Sequence, residues 1–252
     1  MPSEAQPIGA LSRSGLKIKK LSELSEPVLE SFYAEVLTPA FPPDELITWD
    51  ELRGAAAADL GPGALVLDGE TPLGGMLGEI YPRSGVLLLS YIAVRADARG
   101  RGIGQTLLTD VIPQWRAAIR PSLVIAEIED PRFHQPNVYG DPVARLRLYQ
   151  RTGSRLLPMP FFQPSLRPGI PRVFDMLLIC PGETMPTVPA RTVSAFLDEY
   201  FELCEGSEGS EARIIDPDYQ ELRRFAERGD GGRLPLWPLD RVREIPRFTE
   251  AG

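Results

Sequence analysis

The hydrophobic and polar positions of the chain divide most of it into short strands and amphipathic helices. Alternating or continuously apolar short runs predict strands, and apolar residues three or four positions apart predict helices. Strands are predicted at 16–21, 64–67, 73–81, 86–94, 122–128, 155–157 and 173–180. Helices are predicted from Ser25 up to the break at Phe41, and at 44–58, 103–118, 142–151, 193–204 and 218–228.

The connections between these elements predict how the strands pair. Short turns join the three runs 64–67, 73–81 and 86–94, which favours an antiparallel meander. Pro113 lies inside the predicted helix 103–118 and is expected to kink or shorten it. The proline-rich stretch 158–171 is expected to hold no regular element.

The domain organisation follows from changes in composition along the chain. Residues 1–14 are polar and irregular, which predicts a disordered tail. The following residues, 15–180, contain enough strands and helices for one domain. The segment 181–252 is expected to be an extension that packs on this domain, with a flexible acidic link at 205–211.

Composition narrows the class of protein further. The hydrophobic fraction of 43% and the charged fraction of 25% are those of a globular protein, and the net charge is −8. An acidic balance disfavours nucleic acid as a partner, and no apolar run is long enough to span a membrane, so a cytoplasmic location is the default expectation. One histidine and two cysteines, Cys180 and Cys204, provide neither a metal site nor a disulfide framework, so no metal is expected.

The stretch VRADARGRGIGQTLL, which begins at Val94, carries the clearest chemical signal. It places Gly100, Gly102 and Gly104 among arginines between an apolar strand and a helix. A helix N-terminus presents unpaired amides, glycines allow close approach of the backbone, and arginines add charge, so the turn suits a phosphate or pyrophosphate. It lacks the Gly-Lys-Ser/Thr of a nucleoside-triphosphate loop and has G-x-G-x-G rather than the dinucleotide pattern. A structural turn with solvated arginines stays open as the alternative.

The wider context resembles the acyl-CoA-binding motif of the GNAT acyltransferase superfamily. The pattern Arg99-x-x-Gly102-x-Gly104 matches each specified position of that motif, and the element order resembles the family's over roughly 16–180. The resemblance implies an α/β (α+β) fold with a mixed, mostly antiparallel sheet flanked by helices, here followed by a C-terminal helical extension. It also implies acetyl-CoA or another acyl-CoA as co-substrate and acyl transfer to an amine.

The resemblance implies a role for each residue of the cofactor site. The backbone of Ile92, Ala93 and Val94 would pair with the pantetheine arm as an added strand. The turn would bind the pyrophosphate through its amides and side chains, contributed by Arg99, Gly100, Arg101, Gly102, Ile103, Gly104 and Gln105.

The resemblance also provides a candidate for the general acid. Tyr149 stands in Leu148-Tyr-Gln-Arg-Thr-Gly-Ser154, where the family commonly has the tyrosine that protonates the departing thiolate. Ser154 departs from the pattern, because the family usually has an aromatic residue there. Core packing is the alternative role for Tyr149.

The general base is less well defined by the sequence. Glu129 and Glu127 alternate with apolar residues at the end of a buried strand and so point to one face, with Glu129 the first choice. Glu79, His134 and a chain of water molecules are the alternatives. For each of these side chains, a solvated or ion-paired structural role is the alternative.

The sequence does not identify the acceptor beyond a small-molecule or peptide amine. Its specificity is expected to come from the early helices, the loop 129–141 and the segment 158–171, with Phe133, Phe161 and Phe162 as candidate lining residues. Attack on the thioester is expected to be direct, because neither cysteine lies near the motif in sequence. Two alternatives stay open: an acyl-CoA sensor without turnover, and a C-terminal segment that mediates homodimerisation.

Overall fold

The computed structural model describes residues 15–206 and 215–248, and these divide into two compact units. The first unit comprises the described residues up to Glu79 together with Leu89–Arg120. The second comprises Ile80–Leu88 and the described residues from Pro121 onward. The expected tail 1–14 and residues 207–211 of the expected acidic link lie outside the described residues.

The first unit is built on antiparallel strands and helices. Its strands are β1 (Leu16–Lys20), β2 (Gly63–Asp68) and most of β3 (Thr71–Tyr81) and β4 (Val86–Val94). Its helices are α1 (Glu26–Phe32), α2 (Trp49–Ala57), α3 (Ile103–Thr106) and α4 (Ile112–Ile119). β2 pairs antiparallel with β1 and with β3, so the predicted pairing of the first two strands of the meander is confirmed.

The helix starts of the first unit follow local capping chemistry. α1 begins after Ser25 with a proline in its first turn, as the sequence predicts. The prediction that the second helix begins at Asp44 was wrong. Thr48 caps α2 in a capping box with Glu51, whereas the backbone after Pro42 forms only turns, with the amide of Leu46 bonded to the Pro42 carbonyl.

The predicted helix continues past Pro113, and the turn before the proline is of the wider π type. The helix runs from α3 to α4 through a π-type turn at Leu107–Val111, which ends two residues before Pro113. Proline has no amide to donate to the preceding turn, and a π-type turn accommodates the missing bond. The predicted apolar stripe is buried at every position: Ile103, Leu107, Leu108, Val111, Ile112 and Trp115.

The second unit contains the remaining elements in chain order. Its strands are β5 (Leu123–Glu129), β6 (Arg155–Leu156), β7 (Phe161–Gln163), β8 (Val173–Cys180), β9 (Thr187–Pro189), β10 (Arg233–Pro235) and β11 (Trp237–Pro238). Its helices are α5 (Pro142–Arg151), α6 (Ala190–Glu205) and α7 (Pro217–Glu227). β8 pairs antiparallel with β5, β6 and β7; β11 pairs with β6, and β10 with β9, both antiparallel.

The prediction that 158–171 holds no regular element was wrong, because β7 lies inside it. The two phenylalanines Phe161 and Phe162 are fully buried, and this burial fixes the segment against β8 despite its prolines. An irregular loop could have the same proline-rich composition, so composition alone did not predict the strand.

The segment after residue 180 shares the core of the second unit. Phe196, Leu197 and Phe201 of α6 pack in one hydrophobic cluster with Ile125 of β5 and Leu178 of β8. A domain of 15–180 with 181–252 as an extension stays a prediction. The fold class, a mixed, mostly antiparallel sheet flanked by helices with a C-terminal helical extension, is confirmed.

Candidate active site

The glycine turn before α3 has the backbone conformation that only glycine adopts without strain. Gly100 and Gly102 have φ angles of 78° and 83°, in the left-handed region, and Gly102 is the N-cap of α3. A Cβ at either position would have open space around it. Backbone geometry, rather than crowding, is therefore what these two glycines provide.

The amides after this turn are available to a ligand. Those of Ile103, Gly104 and Gln105 have no acceptor among the residues that the structure describes, and helical bonding begins with Thr106, which donates to Gly102 at 2.9 Å. The first amides of a helix carry a partial positive charge. The turn thus leaves three backbone amides as candidate donors to an anion, and the anion site itself stays a prediction.

The arginines around the turn differ in their engagement. Arg95 forms a bidentate pair with Asp97 and also reaches Glu35, and the hydrogen bonds that it donates to Asp97 raise the pKa of Arg95 above its usual value. Arg99 bonds the Val94 carbonyl at 3.4 Å, and Arg101 lies 3.9 Å from Asp68. Arg99 and Arg101, the two motif arginines, are exposed, so both can turn toward a ligand.

The backbone of β3 at Gly74 lies close to Ala93 of β4 and to Ile103 of α3. This close approach was not predicted from the sequence. A Cβ at Gly74 would lie 2.8 Å from the Ala93 carbonyl oxygen and 2.9 Å from Cγ2 of Ile103. Ala93 is buried, and Ile92 and Val94 are partly exposed. The Gly74-Gly75 pair in the sequence was the signal for this close approach.

Tyr149, the candidate acid, lies on α5 with 1% of its surface exposed. Burial raises the pKa of its phenol to about 12, opposed only by the charge of Arg145 one turn earlier. Ser154, where the family usually has an aromatic residue, is buried, and its amide donates to the Tyr149 carbonyl. The phenol therefore stays protonated at neutral pH, which an acid requires.

Glu129, the first candidate base, is already engaged at the end of β5. Nη1 of Arg145 donates to its Oε2 at 3.0 Å, and Nδ1 of His134 lies 4.0 Å from its Oε1. His134 is in turn fixed by a 2.9 Å bond between its Nε2 and the Phe174 carbonyl. The contact of Arg145 with Glu129 was not predicted, although Arg145 lies one turn before Tyr149 in the sequence.

Glu127, the second candidate base, lies partly buried on the same strand. Its Oε2 accepts from the Tyr200 hydroxyl and from Nε2 of Gln163, both at 3.0 Å. These two neutral donors come from α6 and β7. Neither was predicted, because both lie far from Glu127 in sequence and one lies in the segment expected to be irregular.

The remaining candidates take other positions. Glu79 is exposed on β3. Phe161 and Phe162 belong to the buried core of the second unit, whereas Phe133 is 36% exposed and lies against Arg132 and Arg247. Phe133 alone of the three aromatics is accessible to an acceptor.

Two further features concern residues 15–206 and 215–248 as a whole. Within these residues no group of three or more histidine, cysteine or acidic side chains is arranged to hold a metal ion. In the same ranges, no helix has the length and apolar character needed to cross a membrane.

Comparison with protein families identifies one match. Residues 28–139, less than half of the chain, match the model of the acetyltransferase (GNAT) family. The matched range includes the complete glycine turn and α3, so the resemblance predicted from the motif is confirmed over this range. Among curated proteins, no sequence matches significantly.

Solved structures resemble the chain at low sequence identity. One is the ribosomal-protein-alanine N-acetyltransferase of Brucella melitensis, with 20% identity, a TM-score of 0.47, and coverage of 65% of this chain and 97% of that chain. A GNAT-family acetyltransferase from Elizabethkingia anophelis with acetyl-CoA bound has 17% identity, a TM-score of 0.45, and coverage of 67% and 99%. A Bacillus subtilis acetyltransferase in complex with CoA has 15% identity, a TM-score of 0.44, and coverage of 66% and 97%.

Proposed function

From the GNAT acetyltransferase family segment that the chain carries at residues 28–139, we propose that the protein is an acyl-CoA-dependent N-acyltransferase. The acyl donor is acetyl-CoA, and the acceptor is a primary amine that attacks the bound thioester directly. The observation that carries this proposal is the left-handed turn at Gly100 and Gly102, followed by amides without acceptors in the described chain. This turn lies inside the matched segment.

The cofactor roles follow from that turn. The amides of Ile103, Gly104 and Gln105 bind the pyrophosphate together with the side chains of Arg99 and Arg101. The backbone of β4 from Ile92 to Val94 pairs with the pantetheine arm in the manner of an added strand. Arg99, Arg101 and Gln105 are exposed and Gly104 is partly exposed, whereas the side chain of Ile103 is buried, so Ile103 contributes only its backbone amide.

Tyr149 is the general acid in this proposal. Its phenol is neutral at physiological pH because burial raises its pKa, so a proton is always present for transfer to the departing sulfur. The low polarity of its surroundings also disfavours leaving the phenolate charged, so the proton must be replaced in the same turnover.

Glu127 is the general base that the contacts favour over Glu129. A proton taken by Glu129 would have to displace its ion pair with Arg145, which already satisfies one carboxylate oxygen. Glu127 instead receives hydrogen bonds from a tyrosine and an amide, which orient a carboxylate without bringing a positive charge to it. Proton acceptance by Glu127 therefore breaks no ion pair with an arginine.

The proton transfers balance in the following way. The acceptor ammonium gives one proton to Glu127, and its nitrogen bonds to the thioester carbonyl carbon. The carbon–sulfur bond then breaks and the sulfur takes the proton of Tyr149. The second nitrogen proton restores Tyr149 through solvent, and Glu127 releases its proton to solvent. The products are the amide, CoA thiol and one proton.

The test is a free-thiol release assay with acetyl-CoA across a series of primary amines. Amine-dependent release of CoA is the expected result, and Tyr149→Phe is expected to lower kcat at least tenfold with little change in acetyl-CoA affinity. Wild-type turnover in Tyr149→Phe would remove this residue from the acid role. Failure of the protein to bind acetyl-CoA would overturn the proposal.

A second candidate function is an acyl-CoA sensor without turnover. It is favoured by the engagement of both candidate bases, Glu129 by Arg145 and Glu127 by Tyr200 and Gln163. A sensor would bind acetyl-CoA calorimetrically, and no amine would raise thiol release above the background rate.

A further inference from the structure

The contacts of Glu127 tie the proposed chemistry to a part of the chain without an assigned role. The Tyr200 hydroxyl, which reaches Oε2 of Glu127 at 3.0 Å, comes from α6, 73 positions later in the chain. Nε2 of Gln163, at the same distance from the same oxygen, comes from β7, 36 positions later. Two distant segments therefore converge on one carboxylate oxygen.

Tyr200 is held rigidly enough to orient the group it contacts. It is 3% exposed, its ring stacks on Phe196 at a centroid distance of 5.4 Å, and it meets Tyr81 edge-on at 5.7 Å. Phe201 adds a further edge contact at 6.1 Å. A buried ring packed on several sides has one rotamer, so its hydroxyl points in one direction.

The protonation state of Tyr200 also suits a donor. Its pKa lies well above the usual tyrosine value, first because it is buried and then because of the neighbouring Glu127, Cys204 and Tyr81. The hydroxyl therefore keeps its proton at neutral pH and donates it in the hydrogen bond to the Glu127 carboxylate. Gln163 does not titrate at all.

Resting on the proposed function, we propose that Tyr200 and Gln163 are positioning residues that orient the Glu127 carboxylate toward the acceptor amine. Through Tyr200 the segment after residue 180 becomes part of the acyl-transfer machinery. Neither residue touches a reacting atom in this scheme. Both act by restricting the carboxylate to one direction, and a small displacement of a reacting group is enough to slow transfer strongly.

The main experiment is a double-mutant cycle between Tyr200→Phe and Glu127→Gln, read as kcat and KM for the amine and for acetyl-CoA. Tyr200→Phe keeps the packed ring and removes only the hydroxyl. In the wild-type background it is expected to lower kcat roughly 10- to 100-fold, with KM for acetyl-CoA unchanged within about twofold. In the Glu127→Gln background it is expected to cause no further loss, because the two residues act as one unit.

The matched control is Tyr219→Phe. Tyr219 is another buried tyrosine of the second unit, and its hydroxyl donates to Asp198 rather than to Glu127. The Tyr219→Phe variant is expected to be less stable, with kcat unchanged in both the wild-type and the Glu127→Gln backgrounds. Gln163→Leu should reproduce the effect of Tyr200→Phe in direction. Equal losses from Tyr200→Phe and Tyr219→Phe, or a full loss from Tyr200→Phe in the Glu127→Gln background, would overturn the inference.

A second measurement needs no turnover. The infrared carboxylate band of Glu127, identified by its absence in Glu127→Gln, should shift in Tyr200→Phe and stay in place in Tyr219→Phe. An unshifted band overturns the inference whatever the turnover. A shifted band in a protein that acylates no amine overturns the proposed function instead, and wild-type turnover by Glu127→Gln overturns both the base and its positioning.

Discussion

The substitution Gly102→Ala isolates the backbone geometry of the cofactor turn. Gly102 has a φ of 83° at the N-cap of α3, where any other residue is strained. A Cβ there has no atom within 4 Å, so alanine introduces no clash. The only penalty is that of the left-handed conformation, about 1–2 kcal/mol for an L-residue.

The conformational penalty of alanine at position 102 is expected to lower the affinity for acetyl-CoA. Gly102 is exposed, and no atom packs against the position of its Cβ. In the free protein the backbone at an alanine there can therefore relax locally. Binding of the pyrophosphate requires the original turn, so the penalty falls on the affinity for acetyl-CoA. A cost of 1–2 kcal/mol corresponds to a dissociation constant roughly 5- to 30-fold higher.

Gly169→Ala is the matched control for titration calorimetry with acetyl-CoA. Gly169 has a φ of 87°, is exposed, and likewise has open space around its Cβ position, but it lies outside the motif. It should carry the same local strain and bind acetyl-CoA as the wild type does. An affinity of Gly102→Ala within twofold of the wild type, or an equal loss in Gly169→Ala, would refute the reasoning.

Two further predictions concern stability. Because burial raises the Tyr149 pKa from 10.0 to about 12, the unfolded chain loses this proton first as pH rises. The stabilisation from this shift is complete below pH 10, and about 2–3 kcal/mol of it is lost as the pH approaches 12. The free energy of unfolding of Tyr149→Phe, measured with urea, should lack that part of the decline. An unchanged decline in the variant would contradict the prediction. Glu199, 3% exposed, accepts from the amides of Arg83 and Ser84, so Glu199→Gln should lower the free energy of unfolding by about 1.5–3 kcal/mol. The control Glu202→Gln, one turn along α6 and more exposed, should cost less than about 1 kcal/mol, and equal losses would show that the two buried hydrogen bonds of Glu199 do not stabilise the fold.

Local patterns were sufficient to predict most of the elements. The apolar stripe from Ile103 to Trp115 and the strands β4 and β8 came directly from periodicity, and α5 was predicted at its observed bounds. These segments have strong patterns with clear breakers at their ends. The start of α2 was missed because the sequence offered acidic residues at 44 and 45, while the actual cap depends on the pair Thr48 and Glu51.

The candidate site was predictable only where it is local in sequence. The glycine turn is one contiguous stretch between a strand and a helix, so the unpaired amides at the helix start could be predicted from the residues alone. The contacts of Glu127 could not be read in this way. They depend on β7, whose strand pairing comes from burial of Phe161, and on α6, whose orientation comes from the core of the second unit. Tertiary packing, rather than local pattern, brings Gln163 and Tyr200 to the carboxylate.

The most direct test of acyl transfer follows the acyl carbon itself. The protein is incubated with acetyl-CoA labelled in the carbonyl carbon and with a primary amine that supports thiol release, and the label is recovered by mass spectrometry. The account predicts one labelled acetyl group as an amide on the acceptor nitrogen for each CoA thiol released, with none retained on the protein. Label recovered as free acetate, or bound covalently to the protein before the amine is added, would contradict direct transfer to an amine.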